Sequence, residues 1–413
     1  MNAAYGRPPV SRRWLRRAFP GCVLIVASVA VGGDAGLREW TSVDGRTLEA
    51  RILRVEDGMV RMERSDGRVF TIPVARFGEE DRERIRDWRP PPIDEATPDE
   101  AVLALEFGEG RGSGVLVRED GRVWVYTNQH VLGDARSVRA VDTTGERIPL
   151  GDLEIAREAD LARFATTVRR GMPLADSGET GDAVVVYGNS QGTGVITRAE
   201  GKILGVSPGA FEVSAEIVSG NSGGPVVGED GAVLGISSFV RFREPGSDPT
   251  VEDTRYEKPR RFALRLDRPV DFAPVDREEF RRAYEAYRSG RRTFDEAVRL
   301  IRTVMKEPLD RVVPGNFETE AIREVAEDHN DDVDRVSALR ASGMSRRNML
   351  RKLYNRFFDT LETALEEAGE ALSRAKEGLE DPRFGWMRGG IENRKEQLPA
   401  WRKRIEDLQE VYD

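Results

Sequence analysis

Apolar and polar positions alternate in short runs through the first part of the chain and change to steps of three and four beyond residue 276. Between residues 40 and 88 the runs 48–55, 59–64 and 69–74 are punctuated by Asp44-Gly45, Asp57-Gly58 and Asp66-Gly67. Asp-Gly pairs adopt the left-handed backbone of tight turns with little strain, so these runs predict antiparallel strands joined by hairpins. A charged, helix-like stretch at 79–88 follows, and then Pro90-Pro91-Pro92. The pattern predicts a small β-barrel over residues 37–89 and a Pro-rich linker over 90–100. Short β-rich runs then recur at 102–107, 114–117, 123–127, 183–187, 233–238 and 262–266, between Gly-rich turns. Residues 101–272 therefore predict a mainly β domain of barrel or sandwich type.

Residues 276–413 predict an α-helical region. Phe358, Leu361, Leu365, Ala368, Leu372, Ala375 and Leu379 recur at alternating steps of three and four, which lines them along one face with a coiled-coil-like repeat. Leu398, Trp401, Ile405, Leu408 and Tyr412 repeat the steps after the breaker-rich stretch 381–390. An antiparallel C-terminal hairpin is the expected way to bury the two faces, with self-association through these helices as the alternative.

Composition adds location and excludes some chemistry. The first 33 residues carry Arg7, Arg12, Arg13, Arg16 and Arg17 and no acid, followed by an apolar run at 22–31. That is the layout of a secretory signal, and the run is about half of the roughly 20 residues a spanning helix needs. The chain is expected to be exported, periplasmic or secreted. Its net charge of −9 becomes more negative once that basic segment is removed. Such a body suits a phosphate backbone poorly, so nucleic acid is not an expected partner. Cys22 is the only cysteine, and His130 and His329 are the only histidines. A His/Cys metal site cannot be assembled from them, and neither metal nor other cofactor is expected. His329, within the acidic stretch 327–334, reads as a solvated surface residue.

The strongest local signal is Ser219-Gly220-Asn221-Ser222-Gly223-Gly224-Pro225, ahead of a strand at Val226. A serine hydroxyl needs a base to take its proton, and its attack creates an oxyanion that needs donors nearby. Gly220 lets the backbone turn so that its own N–H and that of Ser222 can point at one oxygen, while Gly223 and Gly224 keep bulk away. The expected base is His130, at the end of the run Val125-Tyr126-Thr127-Asn128-Gln129-His130-Val131 and the only histidine of the β domain. Asp160 opens the alternating run Asp160-Leu161-Ala162-Arg163-Phe164 and suits the carboxylate that fixes the imidazole tautomer. Asp142 and Asp152 compete for that role, but each sits beside turn-forming residues, where aspartate usually serves the backbone.

Together these motifs resemble the HtrA-like (Deg) serine proteases of the chymotrypsin clan, over about residues 110–266. Gly112-Ser113-Gly114 resembles that family's entry strand, Thr127-Asn128-Gln129-His130-Val131 its histidine motif and Asp160-Leu161-Ala162 its aspartate motif. Gly188-Asn189 resembles a loop that usually reads Gly-Asn-Pro, with Ser190 in place of the proline, and Gly220-Asn221-Ser222-Gly223-Gly224-Pro225 resembles the nucleophile motif. The resemblance implies two packed six-stranded β-barrels with the active site between them, a catalytic set of His130, Asp160 and Ser222, and an oxyanion hole at Gly220, Asn221 and Ser222. It also implies a specificity pocket around Glu216, Ile217, Ile236, Ser237 and Ser238. Glu216 lies six residues before Ser222, the spacing at which trypsin-like enzymes carry the acid that selects Lys or Arg; HtrA-like proteases usually hold a small apolar residue near this point, and the competing expectation is that Glu216 hydrogen-bonds a neighbouring loop. Residues 37–89 resemble a Sla-homology domain in Trp40, Asp44-Gly45-Arg46, Asp66-Gly67-Arg68, Ile72-Pro73-Val74, Asp81 and Trp88, which implies binding of a peptide or protein partner. The expected function is an exported serine endopeptidase acting on polypeptides. The competing expectation is a catalytically silent scaffold that binds envelope proteins through its small barrel and helical tail.

Overall fold

A computed structural model describes residues 36–413 apart from 67, 108–109, 134, 242–258 and 413, so the segment read as a secretory signal lies outside the described residues. The chain divides into two compact units, Met1–Pro92 and Ile93–Asp413. In the first, Arg38–Thr41 (β1), Thr47–Glu56 (β2), Met59–Arg64 (β3) and Val69–Pro73 (β4) form an antiparallel sheet in chain order. The β2–β3 turn is made by Asp57 and Gly58, at φ 49° and 73°, the twist that a two-residue hairpin demands. Alternation buries one face, where Trp40, Ala50, Ile52, Val60 and Met62 pack with Phe77 and with Ile85 of the helix Glu79–Asp87 (α1). The Trp40 indole N–H donates to the Ala50 carbonyl at 2.7 Å, so its polar edge is paired inside the core. The two edge strands do not pair along their length; the chain beyond them meets at one bridge, Ser42 with Phe77. The expected small barrel is thus an open four-stranded sheet.

The second unit begins with Asp94–Glu95 (β5) and the one-turn helix Pro98–Ala101 (α2). Its first lobe contains Val102–Phe107 (β6), Gly110–Glu119 (β7), Arg122–Thr127 (β8) and the short helix Gln129–Leu132 (α3). Arg139–Val141 (β9), Arg147–Ile148 (β10), Leu153–Ala156 (β11), Ala162–Ala165 (β12) and Arg170–Pro173 (β13) complete its consecutive strands. Ala183–Gly188 (β14), Thr197–Val206 (β15), Ala210–Val213 (β16), Pro225–Gly228 (β17), Val233–Arg241 (β18) and Arg260–Arg265 (β19) make the second lobe. That lobe is a closed six-stranded barrel in the order β14-β15-β16-β19-β18-β17. The chain then returns to the first lobe as Phe272–Val275 (β20).

The first lobe departs from the expected second barrel. Its strands run β10-β9-β6-β7-β8-β12-β11-β20, with β13 added in parallel on β7 and β5 on β13. One edge of β11 is taken by β12 and the other by β20, and the path ends at β10 and β20, which do not pair with each other. Phe272 holds β20 there, edge-on to Tyr126 at 5.7 Å and beneath the Arg163 guanidinium at 4.2 Å.

Four long helices follow: Arg277–Lys306 (α4), Glu320–Ser337 (α5), Arg346–Glu377 (α6) and Gly385–Tyr412 (α7). Asp276 caps α4, its carboxylate accepting the N–H groups of Glu278 and Glu279 at 2.9 and 3.2 Å. The seam Phe358, Leu361, Leu365, Ala368, Leu372, Ala375 and Leu379 is buried along its whole length. Its main cover is α4, with α5 and α7 also packed on α6, so the expected hairpin is part of a larger helical layer. Gly290 permits this approach, since a Cβ there would lie 2.5 Å from that of Ala375. The layer shares one buried core with the first lobe. No helix among the described residues is long and apolar enough to cross a membrane.

His329 corrects its surface assignment. It is 1% exposed, on the inward face of α5 with Ile322, Val325, Ala326, Asn330, Val333 and Val336, while the acids around it occupy the outward face. Nε2 lies 3.2 Å from the Asp310 carbonyl oxygen and Nδ1 is unpaired. Burial holds this imidazole below its ordinary pKa, against the opposing effects of the Asp310 carbonyl and the Asp332 charge. As pH falls through the ordinary histidine value of 6.5 the unfolded chain gains a proton that the folded one resists, so stability is lost. Thermal unfolding between about pH 7.5 and 5.5 should therefore show a smaller fall in midpoint for His329→Gln than for the wild type. Parallel slopes in the two proteins would contradict this.

Candidate active site

The strand β8 delivers His130 by ending at Thr127 and turning through Asn128 into α3, both residues buried. Side chains tie this turn to the β11–β12 loop: Asn128 Nδ2 donates to the Asp160 carbonyl at 2.7 Å, and Gln129 Nε2 to the carbonyls of Ala156 and Ala159 at 2.8 and 2.7 Å. The Asp160 carboxylate then holds His130 twice. One oxygen accepts the His130 backbone N–H at 2.9 Å; the other lies 2.5 Å from Nδ1 and accepts the Ser238 hydroxyl at 3.0 Å. Asp142 is committed elsewhere, bracing its own turn through Thr144 and Glu146 and pairing with Arg170 at 2.8 Å.

The 219–224 loop that carries Ser222 is fixed by sterics as much as by hydrogen bonds. Gly220 and Gly223 sit at φ +93° and +89°, and a Cβ on them would lie 2.1 Å from the Asn189 carbonyl oxygen and 2.0 Å from that of Ser113. Ser113, read along the sequence only as part of the Gly112-Ser113-Gly114 motif, organises this loop. Its N–H donates to the Ser222 carbonyl at 2.9 Å, its hydroxyl donates to the Gly220 carbonyl at 2.7 Å, and that hydroxyl accepts the Asn189 N–H at 2.8 Å. From the other side, Gly223 N–H donates to the Ser237 carbonyl and Ser237 N–H to the Gly224 carbonyl, both at 2.9 Å. Ser190, in place of the family's usual proline, donates to Asn221 Oδ1 at 3.1 Å, and Gln191 N–H donates to the Ser219 carbonyl at 2.7 Å.

Ser222 Oγ donates to the Ser238 carbonyl at 3.1 Å and makes no hydrogen bond to His130 in this geometry. Nucleophile and base often tighten only when substrate is bound. Among the described residues the N–H groups of Gly220 and Ser222 donate to no protein acceptor, whereas Asn221 N–H is spent on the Val218 carbonyl at 3.0 Å. Asn221 therefore leaves the expected donor set. Glu216 is also corrected: residues 213–217 alternate buried and exposed, and Glu216 falls on the exposed side beside buried Ile217. It does not form the floor of a pocket. Ile236, Ser237 and Ser238 are buried, the hydroxyls of the last two donating to the Asn221 carbonyl and to Asp160.

Burial would lower the His130 pKa, but the charge of Asp160 and its hydrogen bond outweigh that and raise it above the ordinary value, against a smaller opposing effect of Arg291. A cavity of about 800 Å³ opens onto His130, Asp160 and Ser238. Among the described residues, no cluster of three or more His, Cys, Asp or Glu side chains is placed to hold a metal ion.

Residues 112–236 match a family described as the trypsin-like peptidase domain. Serine protease HTR4 of Rattus norvegicus is 27% identical over 272 residues, covering 58% of this chain and 52% of that protein. The probable periplasmic serine endoprotease DegP-like of Bartonella henselae is 30% identical over 141 residues, covering 31% of this chain and 28% of its own length. The solved serine endoprotease from Yersinia pestis is 25% identical, with a TM-score of 0.31, covering 40% of this chain and 59% of that one. The chain spans about half or less of the length of these curated relatives. Residues 112–236 thus carry a trypsin-like peptidase domain, similar to that of the HtrA and DegP-like serine proteases.

Proposed function

We propose that this chain is an exported serine endopeptidase that cleaves polypeptides through an acyl-enzyme on Ser222. Ser222 Oγ leaves the Ser238 carbonyl, gives its proton to Nε2 of His130 and attacks the scissile carbonyl carbon. The resulting oxyanion is met by the uncommitted N–H groups of Gly220 and Ser222. His130, an imidazolium steadied by Asp160, returns the proton to the leaving amine as the C–N bond breaks. Water then attacks the ester, its proton passing through His130 to Ser222 Oγ, and the carboxylic product departs. The observation that carries this reading is the double hold of Asp160 on His130, at ring and backbone. The reading takes residues 101–272 as the catalytic domain and 1–33 as the export signal, which the basic-then-apolar layout of that segment supports.

A fluorophosphonate probe tests the chemistry, because Ser222 Oγ would displace fluoride from phosphorus to leave a stable phosphonyl ester. The labelling rate needs neutral imidazole, so it should fall on acidification with a midpoint above the ordinary histidine value of 6.5. Asp160→Asn removes the charge that raises the pKa and leaves the burial that lowers it, so the midpoint should drop while the plateau rate falls about 10³–10⁴-fold. An unmoved midpoint would show that Asp160 does not set the base. The silent-scaffold alternative requires no labelling at any pH.

A further inference from the structure

The cavity that opens onto His130 is not lined by the two β lobes alone. Tyr284 and Arg291 of α4 and Trp386 of α7 line it together with Phe239 and Leu264 of the barrel and Val270 of the returning segment. We infer that the helical layer forms part of the substrate-binding cleft, and that Trp386 and Phe239 there take a bulky apolar side chain of the polypeptide flanking the scissile bond. This rests on the endopeptidase reading for the identity of the occupant.

Trp386 is placed with precision. Its backbone N–H donates to the Arg157 carbonyl at 2.5 Å, in the loop that carries Asp160. Gly385 makes this approach possible, since a Cβ there would lie 2.7 Å from the Arg157 carbonyl oxygen and 2.8 Å from a Glu158 carboxylate oxygen. The indole packs on Tyr287 with ring centroids 5.4 Å apart, and Phe239 is stacked on Phe262 at 4.8 Å. Trp386 remains only half-buried, so its ring keeps surface to offer a ligand. Among the described residues, the charges nearby do not select a charged partner. Arg265 pairs with Asp267 at 2.7 Å, Arg291 with Asp295 at 3.4 Å and Asp271 with Arg157 at 3.2 Å, while the rim residues Glu158 and Arg268 have opposite signs. With its charges paired or balanced, the cavity recognises its occupant through aromatic and aliphatic surface.

The test separates this cleft from the chemistry by measuring binding in a Ser222→Ala background. Calorimetric titration with casein, an unfolded polypeptide rich in apolar side chains, should show about tenfold weaker binding when Trp386→Ala is added, and near-parental binding with Trp386→Phe. Far-UV circular dichroism and thermal midpoint identify a variant that has lost its fold, and Phe239→Ala, on the barrel side, should show the same loss. In proteins with Ser222 intact, cleavage of a peptide library should show one position flanking the cut where Phe and Leu are favoured over Ala and Ser, and Trp386→Ala should erase that preference. The rate of labelling by a small fluorophosphonate should not change. Equal casein affinity of the folded Trp386 and Phe239 variants and their parent overturns the assignment whatever the labelling shows. Absence of labelling in the wild type overturns the serine chemistry and leaves the binding result to judge the cleft.

Discussion

Ser222→Ala is expected to abolish casein hydrolysis and fluorophosphonate labelling while leaving the thermal midpoint within about 2 °C of the wild type. The fold is spared because among the described residues the hydroxyl makes only the bond to the Ser238 carbonyl, whereas backbone contacts hold the loop: Ser113 N–H to the Ser222 carbonyl, and Gly223 N–H to the Ser237 carbonyl. His130→Ala should lower kcat by about 10⁴–10⁶-fold, because the alkoxide cannot form at neutral pH without a base. The double variant should be no worse than Ser222→Ala, since residues that act as one unit do not contribute additively. Hydrolysis of casein by the Ser222→Ala protein at the wild-type rate would overturn the assignment of the nucleophile.

Truncation after Asp276 is expected to cost the remaining β lobes more than about 10 °C of thermal midpoint, or their cooperative transition altogether. The change from β to helical pattern at that point invites the opposite expectation, a protease domain that folds alone. The packing argues against it. Arg277 donates to the carbonyls of Leu150 and Gly151 at 3.0 Å and covers the Phe164 ring at 5.0 Å. Tyr284 lies against Gly133, next to the turn that carries His130, and Trp386 N–H is bonded to the loop that carries Asp160. Each apolar side chain re-exposed in the first lobe costs about 1.5–3 kcal/mol, so the loss of a few such contacts is comparable with the whole stability of a domain. The labelling rate of the truncated protein should fall with it, because both loops that hold the His130–Asp160 pair lose support. A truncated protein with an unchanged midpoint and labelling rate would establish the helical layer as a separate module.

What could be read along the chain was local in origin. The Asp57-Gly58 hairpin follows from a backbone that only a few residues adopt, and the helical seam from Phe358 to Leu379 follows from the 3.6-residue turn. Gly220, Ser222 and Gly223 announced themselves because a sharp turn with no room for Cβ can be written in few ways. Two misplacements had a local signal that was available. Glu216 sits on the wrong parity of an alternating run to reach a buried pocket, and His329 shares the helical step of Ile322, Val325 and Val333, which outweighs its acidic neighbours in sequence.

Other features had no local signal. Whether Asp160 or Asp142 faces His130 is decided by how the β11–β12 loop crosses the end of β8, and whether Gly220, Asn221 or Ser222 keeps a free N–H is decided by the fold of the 218–222 turn. The strand that ends the first lobe's sheet, β20, follows the second lobe in the chain, so its pairing with β11 joins segments more than 100 residues apart. Trp386 reaches the cavity beside His130 from the far end of the helical layer. By itself the sequence determined the turns, the periodicities and the kinds of reactive group, since these depend on neighbours a few residues apart. Which groups meet, which donors stay unpaired and which surface faces the cleft were decided only by the tertiary structure, because each depends on contacts between segments that the chain keeps far apart.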